Sequence, residues 1–97
     1  MPRPNPPDDR VLARRRQVGE QIRRVRENHN LTQLEVCGRS GIDVASYSRI
    51  EQGHASPLLD TLIRIADALG VDLAELVRPY AGGPAHPPRG ERTSGAG

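Results

Sequence analysis

The sequence predicts an all-helical fold of five helices. Three observations carry this. Apolar residues recur at helical spacing in segment after segment, most segments open on a residue suited to capping a helix N-terminus, and glycine or asparagine follows as a stop. With one Met, two Tyr and neither Phe nor Trp, the interior must be built almost wholly from Leu, Ile, Val and Ala. The packed part should be nearer about sixty residues than ninety. Oligomerisation often supplements burial at that size, so a homodimer is an expectation before any motif is read.

Asp8 or Asp9 can cap a first helix that runs to about Asn28, along which Val11, Val18, Ile22 and Val25 recur at helical spacing. Asn30 suits the left-handed residue that ends it. Thr32-Gln33-Leu34-Glu35 reads as a capping box, in which hydroxyl and carboxylate each satisfy an orphan amide, and opens a short second helix. Gly38 inside that helix costs about 1 kcal/mol against Ala, so the helix needs its neighbours. After Gly41, Asp43 can cap a third helix that ends near Glu51, with Gly53 as its stop. Two short helices separated by about three residues, with glycine in the turn, make the pattern of a helix-turn-helix over 33–52, its second helix at 43–51.

Pro57 precedes a fourth helix, Leu59 to Leu69. Its polar residues Asp60, Arg64 and Asp67 share one stripe, while Leu59, Leu62, Ile63, Ile65, Ala66 and Leu69 occupy the rest. So broad an apolar surface predicts a central, nearly enveloped helix. Gly70 ends it, and Asp72-Leu73-Ala74-Glu75 reads as a second capping box opening a short fifth helix that Pro79 closes. The domain therefore spans 9–80, between a proline-rich arm at 1–8 and a Gly/Pro-rich tail at 81–97 that are expected to be disordered.

Composition bounds the function classes. The single cysteine, Cys37, cannot form an internal disulfide. No apolar stretch resembles a signal peptide or a membrane span, so the expected location is the cytoplasm, with no membrane partner. Net charge is +2, but residues 1–17 hold five Arg against two Asp, whereas 18–80 hold seven Arg against nine acids. An argument for a nucleic-acid partner must therefore rest on where individual arginines sit. His29, His54 and His86 are widely separated, no Cys or His spacing points to a metal, and no glycine-rich loop points to a nucleotide or other cofactor. The expectation is a binding protein, not an enzyme.

At about 100° per residue with Val44 at zero, Ser48, Gln52, Ala45 and Arg49 fall at about 40°, 80°, 100° and 140°, one continuous arc. Asp43, Ser46, Tyr47 and Ile50 fall on the opposite arc. The third helix should thus turn Tyr47 and Ile50 inward and offer an outward face of small or hydrogen-bonding residues fit for a major groove.

Leu31-Thr32-Gln33, Ser40-Gly41-Ile42, Ser48-Arg49-Ile50-Glu51-Gln52-Gly53, Pro57 and Ala68-Leu69-Gly70-Val71 stand in order along these helices. In them the stretch 18–77 resembles the DNA-binding domain of the Cro and phage-repressor family, also called the xenobiotic-response-element (XRE) family. The resemblance implies the five-helix lambda-repressor-like fold and a transcriptional regulator of double-stranded DNA, a repressor binding an inverted repeat as a homodimer. It implies base reading by Val44, Ala45, Ser48 and Arg49. Arg49 is the strongest of these, because its planar fork can bond guanine O6 and N7 together, while Val44 and Ala45 offer apolar contact to thymine methyls. It implies a phosphate contact for Gln33 at the start of the second helix. Gln52, His54 and the basic residues Arg15 and Arg16 are further candidates for the DNA backbone. Arg26 and Glu51 match a family ion pair between the first and third helices, an architectural role.

The sequence departs from the family's usual residues at Cys37, Ser40, Asp43, Tyr47 and Leu58. Tyr47 requires a partner for its hydroxyl, and Leu58 in place of a Ser cap leaves Ser56 as the nearby substitute. The competing reading is an antitoxin or other protein-interaction module that uses the same fold, with the N-terminal extension or the tail engaging a protein partner.

Overall fold

The computed structural model describes residues 6–79. Five helices follow in order: α1 (Asp9–Asn28), α2 (Gln33–Ser40), α3 (Val44–Glu51), α4 (Leu59–Leu69) and α5 (Leu73–Val77). The all-helical expectation therefore holds. Residues 6–8 are exposed and irregular, while residues 1–5 of the arm and the whole tail at 81–97 lie outside the described residues. Among the described residues no helix is long and apolar enough to cross a membrane.

The helix ends follow local chemistry. The Asp8 carboxylate accepts from the Val11 amide at 2.9 Å and starts α1. Asn30, at φ 57°, ends it in a Schellman closure, its own amide donating to Glu27 O and that of Leu31 to Arg26 O. At α2 the capping box is complete: the Glu35 amide donates to Thr32 Oγ1 at 3.0 Å, and the Thr32 amide to Glu35 Oε1 at 2.8 Å. The Thr32 amide foremost, and the Thr32 hydroxyl that also donates to Glu35 Oε1 at 3.2 Å, hold the Glu35 carboxyl below its ordinary range. In the turn between α2 and α3 the Ile42 amide donates to Ser40 Oγ at 3.3 Å, which gives a serine at this position a use. Asp43 caps α3 through the Ser46 amide at 3.0 Å.

Each helix contributes one large side chain with no solvent exposure: Ile22, Val36, Tyr47, Ile65 and Leu76, from α1 to α5 in turn. Around them pack Val25, Cys37, Ile50, Ala66, Ala68 and Leu69. α1 lies against α3 and α5, and α2 against α3 and α4. Polar ties reinforce two of these junctions: Gln21 Nε2 reaches the Glu75 carbonyl at 2.9 Å, and Arg39 reaches the Ala68 carbonyl at 3.2 Å. Burial raises the Cys37 thiol above its ordinary value, so it behaves as a small apolar residue.

Three expectations need correction. α4 is not enveloped: Ile65, Ala66, Ala68 and Leu69 are buried, but Leu59 and Ile63 are 61% and 41% exposed. The neighbouring helices cover one side of α4, and an apolar stripe wider than that side must face outward. The second capping box does not form. Asp72 stands at the N-cap of α5 without a side-chain bond, and the Glu75 carboxylate pairs with Arg78 one turn on. Ser56 does not replace the missing cap of α4 either, since Leu58 occupies the N-cap with no side-chain bond.

Gly19 marks where α1 crosses the end of α3. A Cβ there would lie 2.4 Å from the Ile50 carbonyl oxygen and 2.6 Å from that of Glu51, both backbone atoms. Gly19→Ala is therefore expected to lose about 1–3 kcal/mol in urea unfolding by forcing the helices apart. Gly38→Ala, with nothing within 4 Å of the added carbon, is expected to gain about 1 kcal/mol from helix propensity. Equal responses at the two sites would refute the close-approach argument.

Candidate nucleic-acid interface

The geometry of α3 begins with what anchors it. Tyr47 and Ile50 are buried in the core, and one helical step on, the Glu51 side chain is only 3% exposed. Its two oxygens receive four hydrogen bonds. Arg26 of α1 gives two, Nε to Oε2 at 2.7 Å and Nη2 to Oε1 at 3.1 Å. Gln33 of α2 donates through Nε2 to Oε1 at 2.9 Å, and the Tyr47 hydroxyl donates to Oε2 at 2.5 Å. Arg26 Nη1 also reaches the Leu31 carbonyl at 2.8 Å. Three helices therefore meet on one carboxylate.

Burial pushes the Glu51 carboxyl upward, but the bonds from Arg26, Tyr47 and Gln33 outweigh it and hold the group below the usual glutamate range. Burial and the bond to Glu51 push the Tyr47 hydroxyl far above its ordinary value, so it stays a neutral donor. The hydroxyl that demanded a partner finds it at i+4 on its own helix, a spacing that sequence reasoning can register. Nothing comparable signalled that Gln33 would reach Glu51. Its amide nitrogen faces the network, while the helix start on which it sits borders the groove described next.

The opposite side of α3 is open. Val44 is 42% exposed, Ala45, Arg49 and Gln52 are exposed, and Ser48 is half-buried. Ser46, assigned to the inward arc, is exposed as well, because α3 is covered on the Tyr47–Ile50–Glu51 side alone. The edge is partly pre-ordered: Gln52 Nε2 donates to Ser48 Oγ at 3.1 Å, and Arg49 Nη2 donates to the His54 carbonyl at 3.2 Å. Gly53, at φ +79°, closes α3 and lets the chain pass Arg16, since a Cβ there would meet Arg16 Cα at 2.9 Å. The Asp43 carboxyl at the helix start is held low by the Ser46 amide.

Arg16, Gln33, Gln52 and His54 line one groove of about 740 Å³ beside this edge. Arg15 does not join them. One residue along α1 turns it to another groove, among Val11, Val18, Ile50 and Pro57. The first groove also holds Glu20 and Glu27, so it is mixed in charge. Among the described residues no group of three or more His, Cys, Asp or Glu is placed to hold a metal ion.

A helix-turn-helix family profile matches residues 22–76, more than half of the chain. This chain belongs to the Cro and phage-repressor (XRE) helix-turn-helix family. One XRE relative, the uncharacterized HTH-type transcriptional regulator y4dJ of Sinorhizobium fredii, is 43% identical over 65 residues, which span 67% of this chain and 84% of that protein. The cryptic phage CTXphi transcriptional repressor RstR of Vibrio cholerae is 33% identical over 64 residues, 66% of this chain and 57% of RstR. Among solved structures, the restriction-modification controller protein C.AhdI from Aeromonas hydrophila superposes with a TM-score of 0.65 at 26% identity, over 66% of this chain and 97% of C.AhdI. The XRE domain is thus the part of the chain whose geometry has been described, from Ile22 in α1 to Leu76 in α5.

The Glu51 cluster generates a prediction with a sign. A carboxyl whose folded pKa is depressed contributes stability that is present above the ordinary glutamate range and lost as pH falls through its lower folded value. Tyr47→Phe should cost about 1–3 kcal/mol near neutral pH, because a buried acceptor loses its donor. It should also move the acid-side loss of stability to higher pH. Urea midpoints measured from pH 7 down to 3 on both proteins check this, and identical pH profiles would contradict it.

Proposed function

We propose that this chain is a sequence-specific repressor of transcription that works in the cytoplasm and binds an inverted repeat in double-stranded DNA as a homodimer. One observation carries the reading: Val44, Ala45, Ser48 and Arg49 share the open edge of a helix whose other side is fixed in the core. An α-helix about 10–12 Å across fits a major groove about 12 Å wide. In that groove the Arg49 guanidinium, released from the His54 carbonyl, can bond guanine O6 and N7, and Val44 and Ala45 can meet thymine methyls. Gln33, Gln52, His54 and Arg16 border the same edge and serve the sugar–phosphate backbone. Arg15 lines the neighbouring groove of α1 instead. The donor-poor face favours modest direct readout, assisted by DNA shape and by the basic N-terminal extension. RstR, whose name gives it as a repressor, supports the sign of the regulation.

The dimer rests on the apolar side chains that α4 leaves uncovered, with Leu58, Leu59 and Ile63 exposed on its first turns. A symmetric pair would place two α3 helices about 34 Å apart, one turn of DNA. Ile63→Asp is expected to leave the fold intact and shift sedimentation from dimer to monomer. A wild-type chain that is monomeric both free and on DNA would remove the dimer.

DNA binding itself is tested by titrating the full chain with duplexes selected from a random pool, over a range of salt. Affinity should fall steeply with ionic strength; a protein-interaction module would show no such slope. Arg49→Ala should weaken the selected site by about 1–3 kcal/mol and abolish discrimination at one base position. An unchanged sequence preference would eliminate Arg49 as a reader.

A further inference from the structure

The family profile begins at residue 22, whereas α1 begins at Asp9, so the first turns of α1 precede the matched domain. On these turns Val11, Arg14, Arg15 and Val18 stand at i, i+3, i+4 and i+7, one face of the helix. That face forms one wall of a groove of about 260 Å³, closed from the other side by Pro57, by Leu62 of α4 and by Val77 of α5. Val18 and Leu62 pack against the core, while Val11 and Val77 are 43% and 36% exposed.

The charge in this groove is one-sided. Among the described residues that line it none is acidic, and two are arginines. Arg14 is engaged: it donates through Nη1 to Gln17 Oε1 at 2.6 Å and through Nη2 to the Val77 carbonyl at 3.2 Å. Arg15 is half-buried, and among the described residues it has no hydrogen-bond or ion-pair partner. A guanidinium drawn partly out of water beside apolar walls loses hydration that no internal acceptor returns. An anion with an apolar body would supply the acceptor and cover the walls together.

We propose that this groove binds a small amphiphilic carboxylate from solution, its carboxylate on the Arg15 guanidinium and its apolar body against Val11, Val18, Leu62 and Val77. The volume sets the size of the occupant: about 260 Å³ lies just below the usual range of about 300–1,000 Å³ for ligand sites, which suits a short chain or a single ring. The planar guanidinium fork matches the two oxygens of a carboxylate. Nucleic acid is a poorer match, since a sugar–phosphate strand gains little from apolar walls and the reading edge of α3 borders the other groove.

The test titrates octanoate, and octan-1-ol as its uncharged counterpart, into the isotope-labelled full chain near neutral pH and follows the amide signals by NMR. Octanoate should shift the signals of Val11, Val18, Leu62 and Val77 saturably, with a Kd on the order of 1 mM. Arg15→Gln, which removes no internal bond, should raise that Kd about 10-fold and leave the binding of octan-1-ol unchanged. Ile63→Asp, on the other exposed apolar patch, should change neither. No saturable shift in the wild type, or equal octanoate affinity in the wild type and Arg15→Gln, would overturn the proposal. So would shifts confined to Leu58, Leu59 and Ile63. Octanoate that dissociates self-associated wild type in sedimentation would make a second copy of the chain the occupant and would overturn it as well.

Discussion

The arrangement of the first three helices depends on where the Glu51 carboxylate finds its donors. Arg26, Gln33 and Tyr47 approach it from α1, α2 and α3, and each would be left with an unmet polar group if the helices met at other angles. The net stabilisation from such a cluster is small, because the charges give up hydration to form it. Its effect is directional. Apolar contacts among Ile22, Val36 and Tyr47 tolerate small rotations, whereas a bidentate pair and two further donors on a single carboxylate do not.

That constraint reaches function through the length of α3. Eight residues cannot hold a helix in water unaided, so α3 exists only as its surroundings define it. Asp43 fixes its start, the left-handed Gly53 its end, and Tyr47, Ile50 and Glu51 its rotation. The close passage of Gly19 over the Ile50 and Glu51 carbonyls sets how near α1 can come. With those terms satisfied, Val44, Ala45, Ser48 and Arg49 have no partner side left except outward. The edge they form is a consequence of how the inner face is anchored.

The uncovered flank of α4 has a related origin. α2 and α5 pack against this helix and bury Ile65, Ala66, Ala68 and Leu69, and the described residues supply nothing to cover Leu59 and Ile63. A chain with neither Phe nor Trp has few ways to widen its core, and apolar surface is left at the margin. The first turns of α4 thus combine an apolar stripe with the arginine-bearing stripe of Arg64.

The sequence by itself determined the five helices and most of their ends, because capping boxes, left-handed stops and apolar spacing act within a few residues of one another. Thr32 with Glu35, Asp43 with Ser46 and the turn at Gly41 needed no knowledge of the rest of the chain. The same local logic failed at Asp72 and Ser56, where the capping residue was present but its bond was not formed. It also overestimated the cover on α4, since periodicity records how much of a helix is apolar but not how much neighbouring surface exists to receive it. Only the tertiary structure decided that Gln33 joins Glu51, that Arg15 and Arg16 part to different grooves, and that Arg49 and Arg64 line one groove. Those pairings join residues far apart in the chain or turn on a single 100° step, and the angles at which helices cross settle them.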